Sequence, residues 1–240
     1  MNEHDPATTS APPAATRRWR PLEERERRVL GVLVEKAKTT PAGYPMTVSA
    51  LVTGCNQKSN REPVMDLEPF DVERALGRLQ DCGAVSEVDW MGRTSKFRHH
   101  AYEWLGVDRV QLAVLAELLL RGAQTLGDLR ARAARMEPIA DLAALKPIVD
   151  ALVAKELMVE LTPPGRGQVV THNLYLAPEM DALRARHAGG GAADVEPIGR
   201  AAAAHASPAA AGELDALRAE VAELRERVAA LEARLGDSSG

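Results

Sequence analysis

The chain has 240 residues, with 30 Lys and Arg against 34 Asp and Glu, a formal net charge of −4, and 3% aromatic residues. That balance excludes a general cationic coat for nucleic acid, leaves room only for a local basic face, and requires a core built from Leu, Val and Ala. Cys55 and Cys82 lack metal-ligand spacing and read as free thiols or core fillers, so neither a metal nor another cofactor is expected.

Residues 1–18 are rich in Ala, Pro, Thr and Ser and bury too little apolar surface to offset ordering entropy, so they read as a disordered tail. No apolar run with a cleavage site occurs there, so no secretory signal is expected. A first helix is predicted from Pro21, with Glu23, Glu24 and Glu26 at its positive end and Lys36 and Lys38 at its negative end. Val29, Leu30, Leu33, Val34 and Ala37 form its apolar stripe. A second helix is predicted over Thr47–Cys55 with Thr47 as N-cap. The irregular polar stretch Asn56–Pro63 follows, long for a connection between two such helices. A third helix is predicted over Asp71–Cys82, closed by Gly83. Strands Val85–Asp89 and Lys96–Ala101 then flank a turn at Met91-Gly92-Arg93.

The same order recurs. Helices are predicted over Val107–Arg121, over Thr125–Arg135, and over Leu142–Glu156 or from nearer Lys146; a hairpin turns at Pro163–Gly167. Val72, Ala75, Leu76, Leu79, Val85 and Val88 fall against Leu145, Ile148, Val149, Leu152, Met158 and Leu161, at a constant offset of 73 positions. The expected fold class is mainly α with small β-hairpins (α+β): winged helix-turn-helix domains in tandem over residues 19–105 and 106–186. The most apolar run, Val110–Leu120, is broken by Gln111 and Glu117 and is too short to span a bilayer. A cytoplasmic protein with no membrane attachment is expected.

Residues 187–212 turn into a flexible linker of Ala, Gly and Pro. Over residues 213–236, Leu214, Leu217, Val221, Leu224, Val228, Leu231 and Leu235 alternate spacings of three and four, with Val at central a and Leu at d positions. In a parallel pair Glu213 would face Arg218, Glu220 would face Arg225, and Arg227 would face Glu232, all attractive. The expectation is a homodimer through residues 213–235; the other reading is a single amphipathic helix folded back on the domains.

Binding chemistry concentrates in the first half. Arg74 and Arg78 share a face of the third helix and could hold phosphates or base edges, although Glu73 and Asp81 border them. Arg93, Lys96 and Arg98 on the hairpin, beside His99 and His100, could contact phosphates or be an ordinary solvated hairpin. Lys58 and Arg61 in the polar loop are anion donors, while Asn56, Gln57 and Asn60 could instead tie down their own loop. Residues 17–103 hold 15 Lys and Arg against 13 Asp and Glu, and residues 107–186 hold 10 against 10, so the second half is expected to be structural or protein-binding. No nucleophile elbow, phosphate loop, dinucleotide fingerprint or zinc-helix motif occurs, so no catalysis is expected.

The segments Cys55-Asn56-Gln57-Lys58-Ser59-Asn60-Arg61-Glu62-Pro63-Val64, Leu119–Thr125 and Gly127-Asp128-Leu129-Arg130 resemble the YceH family of bacterial proteins, across residues 22–180. The resemblance implies tandem winged helices and brings no activity, ligand or catalytic residue. The chain departs from that family at Thr171–Tyr175, where a more basic segment is usual, and in its Ala-rich linker. Two functions remain: a dimeric, double-stranded-DNA-associated winged-helix protein of the kind that regulates transcription, or a protein-interaction module without direct DNA contact.

Overall fold

The computed structural model describes residues 18–88 and 94–188. The tail to residue 17, the turn Met91-Gly92-Arg93, the linker from residue 189 and the heptad segment 213–236 lie outside the described residues.

Helix α1 (Glu24–Thr39) starts three residues later than the sequence predicts. Arg20-Pro21-Leu22 runs first as an extended strap, and Leu22 N–H donates to Leu174 O at 2.9 Å, so its bonding is spent outside the helix. Glu26 then closes the start by accepting Glu23 N–H at 2.6 Å. α1 is buried on every side from Glu26 to Glu35, not along one stripe. Val29, Leu30, Val32, Leu33 and Val34 are fully inaccessible, each contributing about 1.5–3 kcal/mol of burial. Ala37 is only half-buried.

Around α1 stand α2 (Val48–Cys55), α3 (Pro69–Asp81) and the antiparallel pair β1 (Val85–Val88) and β2 (Lys96–His99). Thr47 caps α2 by accepting Ala50 N–H at 3.2 Å, as expected. The second strand stops short of Ala101, and a short helix α4 (Ala101–Leu105) takes over. Ala101, Trp104 and Leu105 then reach the core at helical spacing, which an extended strand would not allow.

The second half repeats this order with α5 (Arg109–Arg121), β3 (Gln124–Thr125), α6 (Leu126–Ala133), α7 (Leu142–Ala154), β4 (Met158–Glu160) and β5 (Val169–His172). Its sheet order is β3-β5-β4, all antiparallel. The first half has a reduced counterpart: Met46 forms one antiparallel bridge to Phe97, just ahead of α2. Thr125 caps α6 by accepting Asp128 N–H at 3.1 Å. Asp141 caps α7, so that helix begins at Leu142 with Pro147 inside it. A last helix, α8 (Ala177–Ala188), carries no strong apolar stripe in sequence; it buries only Met180 and Leu183.

One continuous cluster of buried apolar side chains runs from Trp19 to Leu174 and joins both halves. Its most extensive packing of one element on another is α1 against α5. A Cβ built on Gly31 would lie 3.0 Å from Leu120 Cδ2 and 3.2 Å from Leu119 Cβ. On another side of α1, a Cβ at Gly54 would lie 2.7 Å from Val32 Cγ1, so α2 also depends on a missing side chain. Among the described residues no helix is long and apolar enough to cross a membrane. Gly31→Val should therefore lower stability by about 1–3 kcal/mol through overpacking, measured as a shift in the urea unfolding midpoint with unchanged slope.

Candidate nucleic-acid interface

The seven cationic residues singled out from sequence do not gather in one place. Arg74 lies exposed on α3 and makes no hydrogen bond or ion pair among the described residues. Arg78, one turn on, is half-buried and held by Glu23. Both line a hollow on the outer face of α1 and α3, where Arg25 also pairs with Asp71 at 2.8 Å. Lys96 and Arg98 alternate with buried Phe97 and so share the outer face of β2, with Arg98 exposed. Arg98 lines a separate cleft that has no residue in common with the α3 hollow. Lys58 is exposed in the polar loop. Arg93 lies outside the described residues.

Two histidines flank this hairpin. Burial pushes the His99 ring down to about 4, so it adds no charge near neutrality. His100 Nε2 bonds the Ser86 hydroxyl at 2.8 Å.

Arg61 is placed differently from the other five described ones. Its side chain is wholly buried, and every donor is used. Nε donates to Gly54 O at 3.0 Å. Nη1 donates to Asn60 O at 2.8 Å and Glu35 Oε1 at 3.2 Å. Nη2 donates to Glu35 Oε2 at 2.5 Å and Gln57 Oε1 at 2.9 Å. In this arrangement Arg61 has no donor left for a phosphate. Asn56 likewise ties its own loop, accepting Leu67 N–H at 2.8 Å and donating to Leu67 O at 2.9 Å. The unusual polar string is thus largely an internal clamp.

The clamp extends into the second half. Arg135, just past α6, reaches Glu35 with Nη1 and Glu117 Oε2 with Nη2, the latter at 3.0 Å. Arg121 donates to Asn60 Oδ1 at 2.6 Å. Its Nε lies 3.1 Å from Glu117 Oε1, yet neither atom makes a well-angled hydrogen bond. That contact is a charge attraction only. Glu35 and Glu117 are 2% and 0% exposed. Burial raises the Glu35 carboxyl, but the hydrogen bonds and charges of Arg61 and Arg135 outweigh it and leave it below its ordinary value. At Glu117 burial wins over Arg135, and the carboxyl is raised. Sequence reasoning missed Glu35, Glu117, Arg121 and Arg135 as a set. The available signal was Glu117, an acid inside the most apolar run of the chain.

In the second half both lysines are spent, while Arg166 before β5 and Arg184 on α8 lie exposed. Lys146 pairs with Asp150 at 2.6 Å, and Lys155 donates to Gly106 O at 2.6 Å and Gln111 Oε1 at 2.9 Å. The segment Thr171–Tyr175 holds the N-terminal strap instead. His172 is buried, stacks on Tyr175 at 4.0 Å, and Arg27 sits 4.5 Å over the Tyr175 ring. Burial pushes the Cys55 thiol up to about 12, which leaves it inert as a nucleophile. Among the described residues no group of three or more His, Cys, Asp and Glu side chains could hold a metal.

Residues 22–166 match the profile of a family described as "Protein of unknown function, DUF480". That stretch spans the clamp and both copies of the repeated helices. A UPF0502 protein of Rhodopirellula baltica is 54% identical over 160 residues, covering 67% of this chain and 68% of the relative. One from Geobacter sulfurreducens is 49% identical over 143 residues, covering 60% of this chain and 63%, under two thirds, of the relative. One from Dechloromonas aromatica is 38% identical over 206 residues, covering 83% and 91%.

The two carboxylates should respond unequally to loss of charge. A carboxyl held below its ordinary value stabilises the fold above that ordinary value and loses its contribution as pH falls through the depressed one; a raised carboxyl contributes below its ordinary value and loses that as pH rises. At pH 7, Glu35→Gln strands buried Arg61 and should cost about 3–5 kcal/mol. Glu117→Gln should cost less than about 2 kcal/mol. Urea titrations of both variants at that pH give the comparison.

Proposed function

The chain belongs to the DUF480 family, as the YceH resemblance implied, and on that premise we propose that it is a tandem winged-helix protein that binds double-stranded DNA as a dimer, acting in regulation and not in catalysis. The repeated order of three helices and a hairpin, with a bridge or strand ahead of each second helix, supports the winged-helix reading. In that reading α3 is the recognition helix and the β1-β2 hairpin is the wing. The observation that carries it is Arg74, an exposed guanidinium on α3 without an internal acceptor among the described residues. Arg98 and Lys96 on the wing, Arg93 at its turn and Lys58 on the loop complete the phosphate-facing set. Arg78 joins it only by leaving Glu23, and Arg61 serves the fold. The second half acts as a brace. The heptads of residues 213–235 pair two chains in parallel, presenting two DNA-binding heads.

A second reading has its own observation. Val64 and Phe70 flank the entry to α3 at 57% and 68% exposure. Large apolar side chains held in solvent beside a presented helix suit a protein partner. In that case the chain is an interaction module that contacts the partner through residues 56–70.

Fluorescence anisotropy with a random-sequence duplex separates the two. DNA binding should weaken steeply between about 50 and 200 mM salt, and Arg74→Glu and Arg98→Glu should each remove about one unit from the log–log salt slope. Phe70→Ser should leave that binding intact. No duplex binding at the lower salt would sink the DNA reading and leave the protein-partner one. Sedimentation equilibrium of the full chain should give a dimer that Leu224→Lys converts to a monomer, since a charge at a d position breaks the seam.

A further inference from the structure

A cleft of about 500 Å³ opens where the end of α1, the Tyr44-Pro45 segment, β2, α4 and the residues after α6 meet. The volume lies within the range of small-molecule sites. Its hydrogen-bonding groups are unbalanced. One carboxylate, Glu137, is engaged: Lys38 Nζ donates to it at 2.8 Å and Arg109 Nε at 3.2 Å. Lys38 also donates to Arg109 O at 3.0 Å. The other carboxylate, Glu103, is exposed at the rim.

The donors are left over. His99 Nδ1 accepts Ala101 N–H at 3.2 Å, which places the ring proton on Nε2. No described residue accepts from that Nε2–H. The ring stays neutral down to about pH 4, because burial outweighs its neighbours, so near neutrality it donates without carrying charge. Tyr44 Oη accepts His99 N–H at 2.7 Å and keeps its own proton to give. Tyr102 Oη and the exposed Arg98 guanidinium have no described acceptor. The three rings form one wall: the Tyr44–His99 and His99–Tyr102 centroids are 5.9 and 5.8 Å apart, tilted by 57° and 46°.

A ligand for such a cleft must bring acceptors and a flat apolar body. We propose that it binds a small planar organic anion of the aryl carboxylate class, with the carboxylate taken by Arg98 and His99 Nε2–H and the ring set against Tyr44 and Tyr102. Oxygen acceptors of a charged carboxylate give the stronger, charge-assisted bonds to a guanidinium. The site stands whether or not the chain binds DNA. Where the DNA reading holds, ligand and phosphate compete for Arg98, and the ligand weakens DNA binding.

The test uses the full-length chain without DNA. Benzoate, 2-naphthoate and indole-3-carboxylate are titrated while the His99 and Tyr102 side-chain resonances are followed by NMR, with the three matching alcohols as neutral controls. At least one carboxylate should saturate with Kd on the order of 1 mM or tighter. Its alcohol should bind at least about tenfold more weakly, and Arg98→Gln, an exposed position whose variant should melt like the parent, should weaken the carboxylate by a similar factor. The proposal is overturned if no carboxylate shifts these resonances by about 10 mM, if the alcohols bind as well, or if Arg98→Gln changes nothing. Because DNA is absent, that failure leaves the DNA reading to its own salt titration.

Discussion

The Glu35 carboxylate sits near the crossing of α1 and α5, and burial there opposes its charge. It remains ionised because Arg61 supplies a two-pronged contact and Arg135 a further one. Both arginines come from irregular backbone: Arg61 from the loop after α2, Arg135 from the end of α6. Packing α1 on α5 thus obliges a loop of the first half and a corner of the second to arrive together. A buried network of this kind adds little net stability over an apolar replacement, but breaking it is costly. Its effect is to fix which arrangement of the halves is allowed. Gly31 does the same through sterics, since α5 can approach α1 only where no side chain intervenes.

The local architecture was largely legible. The constant offset between Val72 and Leu145 fixed the repeated helices, and Thr47 and Thr125 cap the helices that the sequence assigned to them. What failed to show was everything set by distant partners. Arg61 and Glu35 are 26 positions apart, and Arg135 and Glu35 are 100 apart. No periodicity links such residues, so Arg61 looks like a free cation in a polar loop. The strap before α1 reads as helix because Pro21 suits a first turn; only Leu174, far along the chain, shows why it stays extended. α8 was invisible for a related reason. Its binding rests on Glu179, which accepts from Arg27 at 2.7 and 2.8 Å, more than on an apolar stripe.

Composition does not show which basic residues are spent inside the fold. In the second half Lys146 pairs with Asp150 and Lys155 is spent on Gly106 O and Gln111, while Arg166 before β5 and Arg184 on α8 lie exposed. The first half keeps exposed cations only at Lys58, Arg74 and Arg98 among the residues considered for binding. Exposure alone separates them from Arg61, which has the same chemistry and is enclosed. A basic residue in this protein therefore takes its role from the acids that reach it, not from the element that carries it.

The sharing of α1 between halves bears on how the chain is made. As residues 18–105 leave the ribosome, the side of α1 at Gly31 has no cover, because Leu119 and Leu120 have yet to emerge. About sixteen more residues must follow, roughly one to three seconds at ordinary elongation rates. The helix carrying five fully buried aliphatic side chains waits through that interval with one flank open. The first half, which holds exposed Arg74 and Arg98, is in this sense a client of the second during synthesis. Pausing or premature termination between residues 105 and 121 would release a fragment that displays its own core.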